Sequence, residues 1–324
     1  MAKDLRIILH LGPHKTGSTS IQRSLFSNKG VLAEHGVHFL GQRGAYKNLY
    51  SAFMTDPMRD LWNRRSRLSA EQIEKRDENV RWQLFKQLKS LSGTAILSNE
   101  FLCLMRPAEL ARIHAALSEY GEVHALYYYR ELLPWMASNS QQMAKVGEFF
   151  RPTAYATSIR RIHRIPLNIK REFGADRTHF IKFEDAVKQG LCNSLLREFN
   201  LPDFDTLGLS ESRENESLSA PAVRAMYLYN LQNPPGSGRR TDKEISERWN
   251  LPGDKYRIDG LRPHEIRDYA KKRTEVSAKL GFHLVPPQDI PRSRHLDKEN
   301  ARQIWPYLPL KERVKALLKS LRRF

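Results

Sequence analysis

The stretch GPHKTGST, residues 12–19, decides the fold predicted for this chain. The run before it, RIILHL at residues 6–11, is short and β-branched, which is typical of a buried strand. Residues 17–28, which follow, have apolar side chains at helical spacing and predict a helix that stops at Gly30. A glycine turn between a strand and a helix points backbone N–H groups inward and adds the positive end of the helix. The stretch therefore predicts a cradle for an anion of the phosphate type.

The loop differs from the Walker A pattern GxxxxGK[ST] in the position of its lysine. Lys15 precedes the second glycine, and Ser18 stands where Walker A has its lysine. A Walker A site also needs an aspartate at the end of a later strand, and the candidate strands are followed by Asn99-Glu100 and Arg130. These differences argue against a metal-dependent nucleotide kinase or NTPase, which stays the alternative interpretation.

Strand and helix patterns alternate over residues 1–200. A capping box of Ser69 with Gln72 and a proline at 107 each predict the start of a helix. Further strands are expected at residues 37–40, 95–98, 123–129 and 178–183, and a helix over 155–173. The alternation predicts an α/β fold, a P-loop-like parallel β-sheet flanked by helices.

Beyond residue 200 the pattern becomes mostly helical. Ser219-Ala-Pro-Ala is expected to open one helix, and residues 263–280 form another that Gly281 closes. Residues 233–240 are expected to form an exposed loop. We therefore expect a single domain over residues 1–324, with an α/β body over 1–200 and a helical extension over 201–324 that ends in a basic helix.

The composition narrows the classes of function. Lys and Arg number 54 and Asp and Glu 36, so the formal net charge of +18 favours an anionic partner. The two cysteines, Cys103 and Cys192, build neither a disulfide framework nor a cysteine-based zinc site. No signal peptide, membrane-span pattern or nucleic-acid-binding motif is found, so we expect a cytoplasmic protein without a specific nucleic-acid partner.

The segment GPHKTGSTSIQ resembles the phosphosulfate-binding loop of sulfotransferases that use 3′-phosphoadenosine 5′-phosphosulfate (PAPS). It is most similar to the bacterial branch related to carbohydrate sulfotransferases. Arg130 at the end of a predicted strand, with Ser138 eight residues later, matches the family's signature for the 3′-phosphate. The resemblance covers about residues 1–220 and implies nucleotide contacts from Lys15, Thr16, Gly17, Ser18, Thr19, Arg130 and Ser138.

The resemblance implies transfer of a sulfuryl group from PAPS to a hydroxyl or amine acceptor, without a metal. Lys15 would stabilise charge on the leaving bridging oxygen. The acceptor proton needs a general base, and Glu100 is the first candidate because glycan sulfotransferases use a glutamate in a comparable place. His14, inside the loop, is the second candidate, whereas His10 lies within the strand and is expected to be a core residue.

A later stretch, RENESLS, carries three weaker candidates for nucleotide contacts. They are Arg213, Asn215 and Ser217. The RKG-type motif of the family's cytosolic branch is absent from the sequence, so the resemblance does not say how the nucleotide is closed over.

Two basic regions bear on the acceptor and on localisation. Arg160, Arg161, His163 and Arg164 either line a groove for an acidic glycan or form a solvated face. Residues 308–324 predict an amphipathic helix that either packs on the body or meets the inner face of an anionic membrane, where lipid-linked saccharides reside. The sequence does not identify the acceptor, and an acidic glycan or a lipid-linked saccharide is our expectation.

Overall fold

The computed structural model describes residues 4–41, 46–146, 154–212, 217–232, 251–281 and 283–292. The chain falls into two compact units. The first contains residues 1–130 and 161–214, and the second contains residues 131–160 and 215–324. That residues 1–324 form one domain stays a prediction.

The first unit is built on a five-stranded parallel sheet in the order β2-β3-β1-β4-β5. The strands are β1 (Leu5–His10), β2 (Val37–Phe39), β3 (Gly93–Ser98), β4 (Glu122–Tyr129) and β5 (Thr178–Lys182). β1 occupies the centre, where a strand is covered on both faces and therefore reads as a continuous apolar run. The predicted fold class, a parallel sheet flanked by helices, is confirmed.

Helices connect the strands and cover the sheet. Up to β4 they are α1 (Ser18–Ser27), α2 (Lys29–Glu34), α3 (Leu49–Phe53), α4 (Leu61–Arg65), α5 (Ala70–Lys89) and α6 (Pro107–Ser118). Those after β4 are α7 (Leu132–Lys145), α8 (Tyr155–Ile162), α9 (Arg164–Phe173), α10 (Phe183–Gln189), α11 (Leu191–Glu198), α12 (Ala220–Gln232) and α13 (Pro263–Leu280). Short 3₁₀ helices lie at Pro57–Arg59, Leu102–Leu104 and Pro287–Asp289.

One face of the sheet packs against α1 and α11. Ile8 of β1 and Tyr128 of β4 are fully buried there with Ile21 and Leu25, the pair whose helical spacing predicted α1. The Tyr128 hydroxyl donates to the carbonyl of Leu191 at 2.7 Å, so the only polar atom of this ring is satisfied inside the core.

Three predicted boundaries are wrong for local reasons. Gly30 does not stop the first helix, because Asn28 ends α1 and the chain resumes as α2 one residue later, with Gly30 inside it. The helix predicted over 155–173 is two helices that meet at His163, because Pro166 is tolerated only in a first turn. Phe183 opens α10 and does not end β5.

The second unit contains α7, α12 and α13. Tyr227 of α12 donates to the carbonyl of Ser140, and the Asn230 side chain donates to that of Ala144, each at 2.9 Å. These bonds fix α12 against α7. None of the described helices is both long and apolar enough to cross a membrane. The loop predicted at residues 233–240 and the helix predicted at 308–324 lie outside the described residues.

Candidate functional site

The glycine loop lies at the carboxyl edge of the sheet, directly after its central strand. β1 ends at His10, which is in register with Ser98, the last residue of β3. Leu11 N–H still donates to the β4 carbonyl of Leu126 at 3.0 Å, and the loop departs from the sheet at Gly12. In parallel sheets of this kind ligands bind at the carboxyl ends of the strands.

Gly12 is required by a close approach of two backbones. Its φ is +75°, and a Cβ at this position would lie 2.8 Å from Cα and O of Glu100. Any side chain would therefore push the loop away from the turn that carries Glu100. The glycine thus explains why a residue 88 positions later in the chain lies beside the loop.

The rest of the loop winds through two further left-handed residues, Lys15 at φ +68° and Gly17 at φ +74°. A left-handed conformation is strained for a lysine, and such strain is characteristic of functional loops. Gly17 is the N-cap of α1, so the loop leads directly into the positive end of that helix. The loop therefore has the left-handed turns and the helix start that the predicted anion cradle requires, and anion binding there stays a prediction.

The hydroxyl groups of the loop do not all face outward. Thr16 is fully buried, and its Oγ1 donates to the carbonyl of Pro13 at 2.6 Å. Ser18 Oγ makes a longer bond of 3.4 Å to the same carbonyl, whereas Thr19 is half-buried. Thr16 therefore braces the loop with its hydroxyl.

His14 and Glu100, the two candidate bases, form a pair. His14 Nδ1 lies 3.0 Å from Glu100 Oε2, with side-chain exposures of 23% and 31%. Both groups are therefore reachable by a substrate while being partly shielded from water. The sequence offered them as competing bases, and the structure brings them together.

The charge state of Glu100 follows from its neighbours. Burial alone would raise the pKa of this carboxyl, but the hydrogen bond from His14 and the positive charge of Lys15 outweigh burial and lower the pKa. Glu100 is therefore an anion at neutral pH, and the His14 nitrogen facing it, Nδ1, carries a proton. In a neutral imidazole the lone pair then lies on Nε2.

The turn after β3 is shaped by Asn99, which the sequence analysis gave no role. The Asn99 side chain donates to the carbonyl of Tyr46 at 3.1 Å and accepts from the N–H of Phe101 at 2.9 Å. An asparagine that accepts from the residue two positions on is a common turn former, so the signal was available in the sequence. Asn99 thereby fixes the backbone of Glu100 between two anchored residues.

Arg130 also reaches the glycine loop. Its Nη1 donates to the carbonyl of Lys15, and its guanidinium lies 4.7 Å above the centre of the Phe183 ring. Burial lowers the pKa of Arg130, and the negative charge of Glu184 partly opposes this shift. Its Nε is buried and has no hydrogen-bond partner among the described residues. A buried donor of this kind beside a glycine loop fits a phosphate group.

The remaining predicted nucleotide contacts stay predictions. Ser138 is half-buried on α7 in the second unit, and its pairing with Arg130 stays a prediction. Ser217 is exposed, also in the second unit. Arg213 and Asn215 lie outside the described residues.

His10 is a core residue, as the sequence analysis expected. It is fully buried at the end of β1, and its Nδ1 lies 2.8 Å from Ser98 Oγ, to which Gln22 also donates. Burial lowers the pKa of His10 to about 4, although the negative charge of Glu100 acts to raise it. The ring is therefore neutral at neutral pH and serves the packing behind the loop.

One member of the basic cluster, Arg161, approaches the Glu100 turn. Arg161 Nη1 lies 3.7 Å from Cys103 Sγ, and the Cys103 thiol donates to the carbonyl of Glu100 at 3.3 Å. Burial raises the pKa of Cys103 to about 11, so the group is a neutral thiol. Arg160 and Arg164 are exposed, and His163 is half-buried.

No family model and no curated protein matches the chain. Among solved structures it is similar to a sulfotransferase from Alicyclobacillus acidocaldarius, with 14% identity and a TM-score of 0.38 over 76% of this chain and 99% of that chain. It is also similar to the sulfotransferase domain from the curacin biosynthetic pathway, with 14% identity and a TM-score of 0.34 over 88% and 99% of the two chains.

A third similar structure is retinol dehydratase in complex with androsterone and the inactive cofactor PAP. The identity is 12% and the TM-score 0.33, over 87% of this chain and 83% of that chain. Two of the three structures carry the name sulfotransferase. At these identities and TM-scores the likeness assigns neither an activity nor an acceptor to this chain.

Proposed function

We propose that the protein is a sulfotransferase that moves a sulfuryl group from PAPS to a hydroxyl or amine acceptor by in-line transfer. One observation carries the proposal: Gly12 lets the glycine loop pack on the Glu100 backbone. Lys15, Arg130 and the pair of His14 with Glu100 thereby meet around one loop. These groups supply an anion cradle, two cations and a proton acceptor, the parts that sulfuryl transfer needs.

The loop and the cations bind and polarise the donor. The backbone N–H groups from Thr16 to Thr19 and the start of α1 would hold the 5′-phosphate and the sulfuryl oxygens. Lys15 would stabilise the charge that develops on the bridging oxygen as the bond to sulfur breaks. Arg130, with its unpaired Nε, would hold a further phosphate of the nucleotide.

The paired side chains take the acceptor proton. Glu100 is anionic and hydrogen-bonded to His14, so the proton of the acceptor passes either to His14 Nε2, with Glu100 orienting the ring, or to Glu100 directly. Rates measured against pH distinguish the two routes. A base limb below the ordinary glutamate range assigns the base to Glu100, whose pKa is lowered, and the absence of a limb in that range argues against the direct route.

The acceptor that we propose is an acidic glycan or a lipid-linked saccharide in the cytoplasm. The net charge of +18 and the approach of Arg161 to the Glu100 turn support an anionic acceptor. Both cysteines are free and buried, which supports a reducing compartment.

Transfer of label from radiolabelled PAPS tests the proposal. Defined acceptors, methyl β-D-glucuronide, methyl β-D-glucopyranoside and 4-nitrophenol, are incubated with the wild type, Lys15→Met and Lys86→Met. We expect labelled product from the wild type, and a rate lower by about 10²–10³ in Lys15→Met, because an electrostatic contact to the transition state is lost. Lys86, an exposed lysine of α5, is the matched control and should leave the rate unchanged.

Two results would count against the proposal. A wild type that labels none of the three acceptors but transfers phosphate from ATP with Mg²⁺ would assign the loop to a kinase. Equal rates in the two lysine variants would remove Lys15 from the reaction.

A further inference from the structure

An aromatic pair flanks the predicted catalytic residues, and neither ring has a role in the proposed chemistry. Phe101, directly after Glu100, meets the His14 ring edge-on with centroids 4.6 Å apart. Tyr50 of α3 lies against Phe101 at 5.9 Å, with the two ring planes tilted by only 34°. Both rings are half-buried, so each leaves part of its surface open. We call Tyr50 and Phe101 the aromatic ledge.

The ledge is held in place by a buried carboxylate. Glu109 of α6 is fully buried and accepts from both Nη atoms of Arg59, at 3.1 and 3.2 Å. The positive charge of Arg59 also acts on Tyr50, where it opposes the rise in the tyrosine pKa that burial causes. Glu109 also accepts from the N–H and the hydroxyl of Thr55, at 3.0 and 2.9 Å. The segment that carries Tyr50 is therefore anchored, and a fixed ring gives binding energy without an ordering cost.

The second ring is anchored equally well. Phe101 N–H donates to the side chain of Asn99, and Asn99 donates to the carbonyl of Tyr46, just before α3. One asparagine thus links the turn of Phe101 to the segment of Tyr50. The two rings belong to a single preformed surface beside the pair of His14 and Glu100.

We propose that the aromatic ledge binds the acceptor and that the acceptor hydroxyl is carried on a ring with an apolar face, as in a pyranose or an aryl alcohol. This inference rests on the proposed function, because it assigns the acceptor side of that site. A flat ring stacks on an aromatic side chain over its whole face, whereas a linear alkyl alcohol makes fewer contacts and loses more conformational freedom. The ledge therefore favours cyclic acceptors over linear ones.

Binding measured by saturation-transfer NMR tests the ledge in the presence of adenosine 3′,5′-bisphosphate (PAP). The probes are 4-nitrophenol, methyl β-D-glucopyranoside and 1-hexanol, which separate aryl, sugar and linear sources. The proteins are the wild type, Tyr50→Leu, Phe101→Leu, Tyr50→Phe and Trp82→Leu. Leucine keeps most of the volume but removes the flat ring, Tyr50→Phe keeps the ring, and Trp82 is an exposed aromatic of α5 outside the ledge.

We expect at least one ring probe to bind more tightly than 1-hexanol and to bind about three- to tenfold more weakly in each ledge leucine variant. Tyr50→Phe and Trp82→Leu should stay within twofold of the wild type. The affinity for PAP, measured by calorimetry, should be unchanged in all variants, which shows that they are folded.

Three results would overturn the proposal that the aromatic ledge binds the acceptor. They are tighter binding of 1-hexanol than of the ring probes, no binding of either ring probe, and ring-probe binding in the leucine variants equal to that of the wild type. A wild type that binds the ring probes but not PAP would overturn the proposed function instead. The two failures are therefore distinguishable.

Discussion

Two histidine–carboxylate pairs in the first unit have nearly the same geometry and different roles. His14 Nδ1 lies 3.0 Å from Glu100, and His179 Nδ1 lies 2.9 Å from Glu198. Distance alone would make both of them candidates for acid–base chemistry. Their positions separate them, because His14 lies in the glycine loop at the carboxyl edge, and His179 lies near the amino end of β5.

The hydrogen bonds of His179 account for its structural role. Nδ1 faces Glu198, and Nε2 lies 3.0 Å from Nδ1 of His124 on the neighbouring strand. Both nitrogens of the His179 ring therefore have partners within the protein, and the Phe199 ring packs against the His179 ring with centroids 4.4 Å apart. The short distance within a histidine–carboxylate pair therefore does not make the pair a candidate site. The groups around it do, and around His14 and Glu100 these are Lys15 and the Gly12 backbone.

The largest expected effect is on the rate of sulfuryl transfer, and only substitutions in the pair of His14 and Glu100 should produce it. Glu100→Gln and His14→Gln should each lower the rate of sulfuryl transfer by about 10²–10⁴, the usual contribution of a general base. Glu198→Gln and His179→Gln remove the same chemistry from the other pair and should change the rate less than threefold. Initial rates with PAPS in excess check this prediction, and a similar loss in all four variants would contradict the distinction.

The next effect concerns His10, which is buried more deeply than either pair. The folded protein keeps His10 neutral down to about pH 4, whereas an unfolded histidine takes up a proton near pH 6.5. The unfolded state therefore binds more protons between these values, and the free energy of unfolding falls as the pH drops. The loss from this residue is on the order of 3 kcal/mol by about pH 4.

Urea unfolding at pH 7 and at pH 4.5 measures this loss in the wild type and in His10→Gln. The glutamine variant should be less stable at pH 7 but should lose less stability on acidification. An unchanged pH dependence in the variant would mean that other groups cause it.

A smaller effect is expected for the binding of the nucleotide. Arg130→Met should weaken the binding of PAP by about 10- to 100-fold, since a charge-assisted hydrogen bond contributes about 1.5–3 kcal/mol. Arg177→Met is the matched control, because Arg177 pairs with Glu122 at the start of β4, far along the strand from the loop. Calorimetric titration checks both variants, and equal losses would point to net charge alone.

The smallest expected effect is on the free energy of unfolding, when the pair of His179 and Glu198 is broken. His179 and Glu198 are 19% and 38% exposed, so solvent screens their attraction. Glu198→Gln should therefore change the free energy of unfolding by less than about 1 kcal/mol. Urea unfolding at pH 7 gives the value, and a loss of several kcal/mol would show that the chain from Glu198 through His179 to His124 acts as one network.

The sequence predicted the sheet and the loop because their signals are local. A β-branched run, a glycine turn and an apolar i, i+4 pair lie within residues 6–28, and the structure follows them closely. The helix boundary at His163 was missed because a weak break at Pro166 competed with strong amphipathic spacing. Local patterns thus predicted which helices and strands form more accurately than they predicted where these elements end.

The site was only partly predictable because its contacts span distant segments. Glu100 was chosen because glycan sulfotransferases use a glutamate in a comparable place, but its pairing with His14 depends on the close approach of the Gly12 and Glu100 backbones. No periodicity signals that Tyr50 would reach Phe101 or that Arg161 would reach Cys103. Such contacts depend on how connections pack, which a single sequence does not encode locally.

The most direct test of the central claim is calorimetric titration of the wild-type protein with PAP in the absence of Mg²⁺, with ATP and Mg²⁺ as the comparison. We expect micromolar binding of PAP, weaker binding of ATP, and PAP binding that is about 10- to 100-fold weaker in Lys15→Ala and in Arg130→Ala. Absence of PAP binding, or a preference for ATP with Mg²⁺, would contradict the sulfotransferase assignment and support the nucleotide kinase.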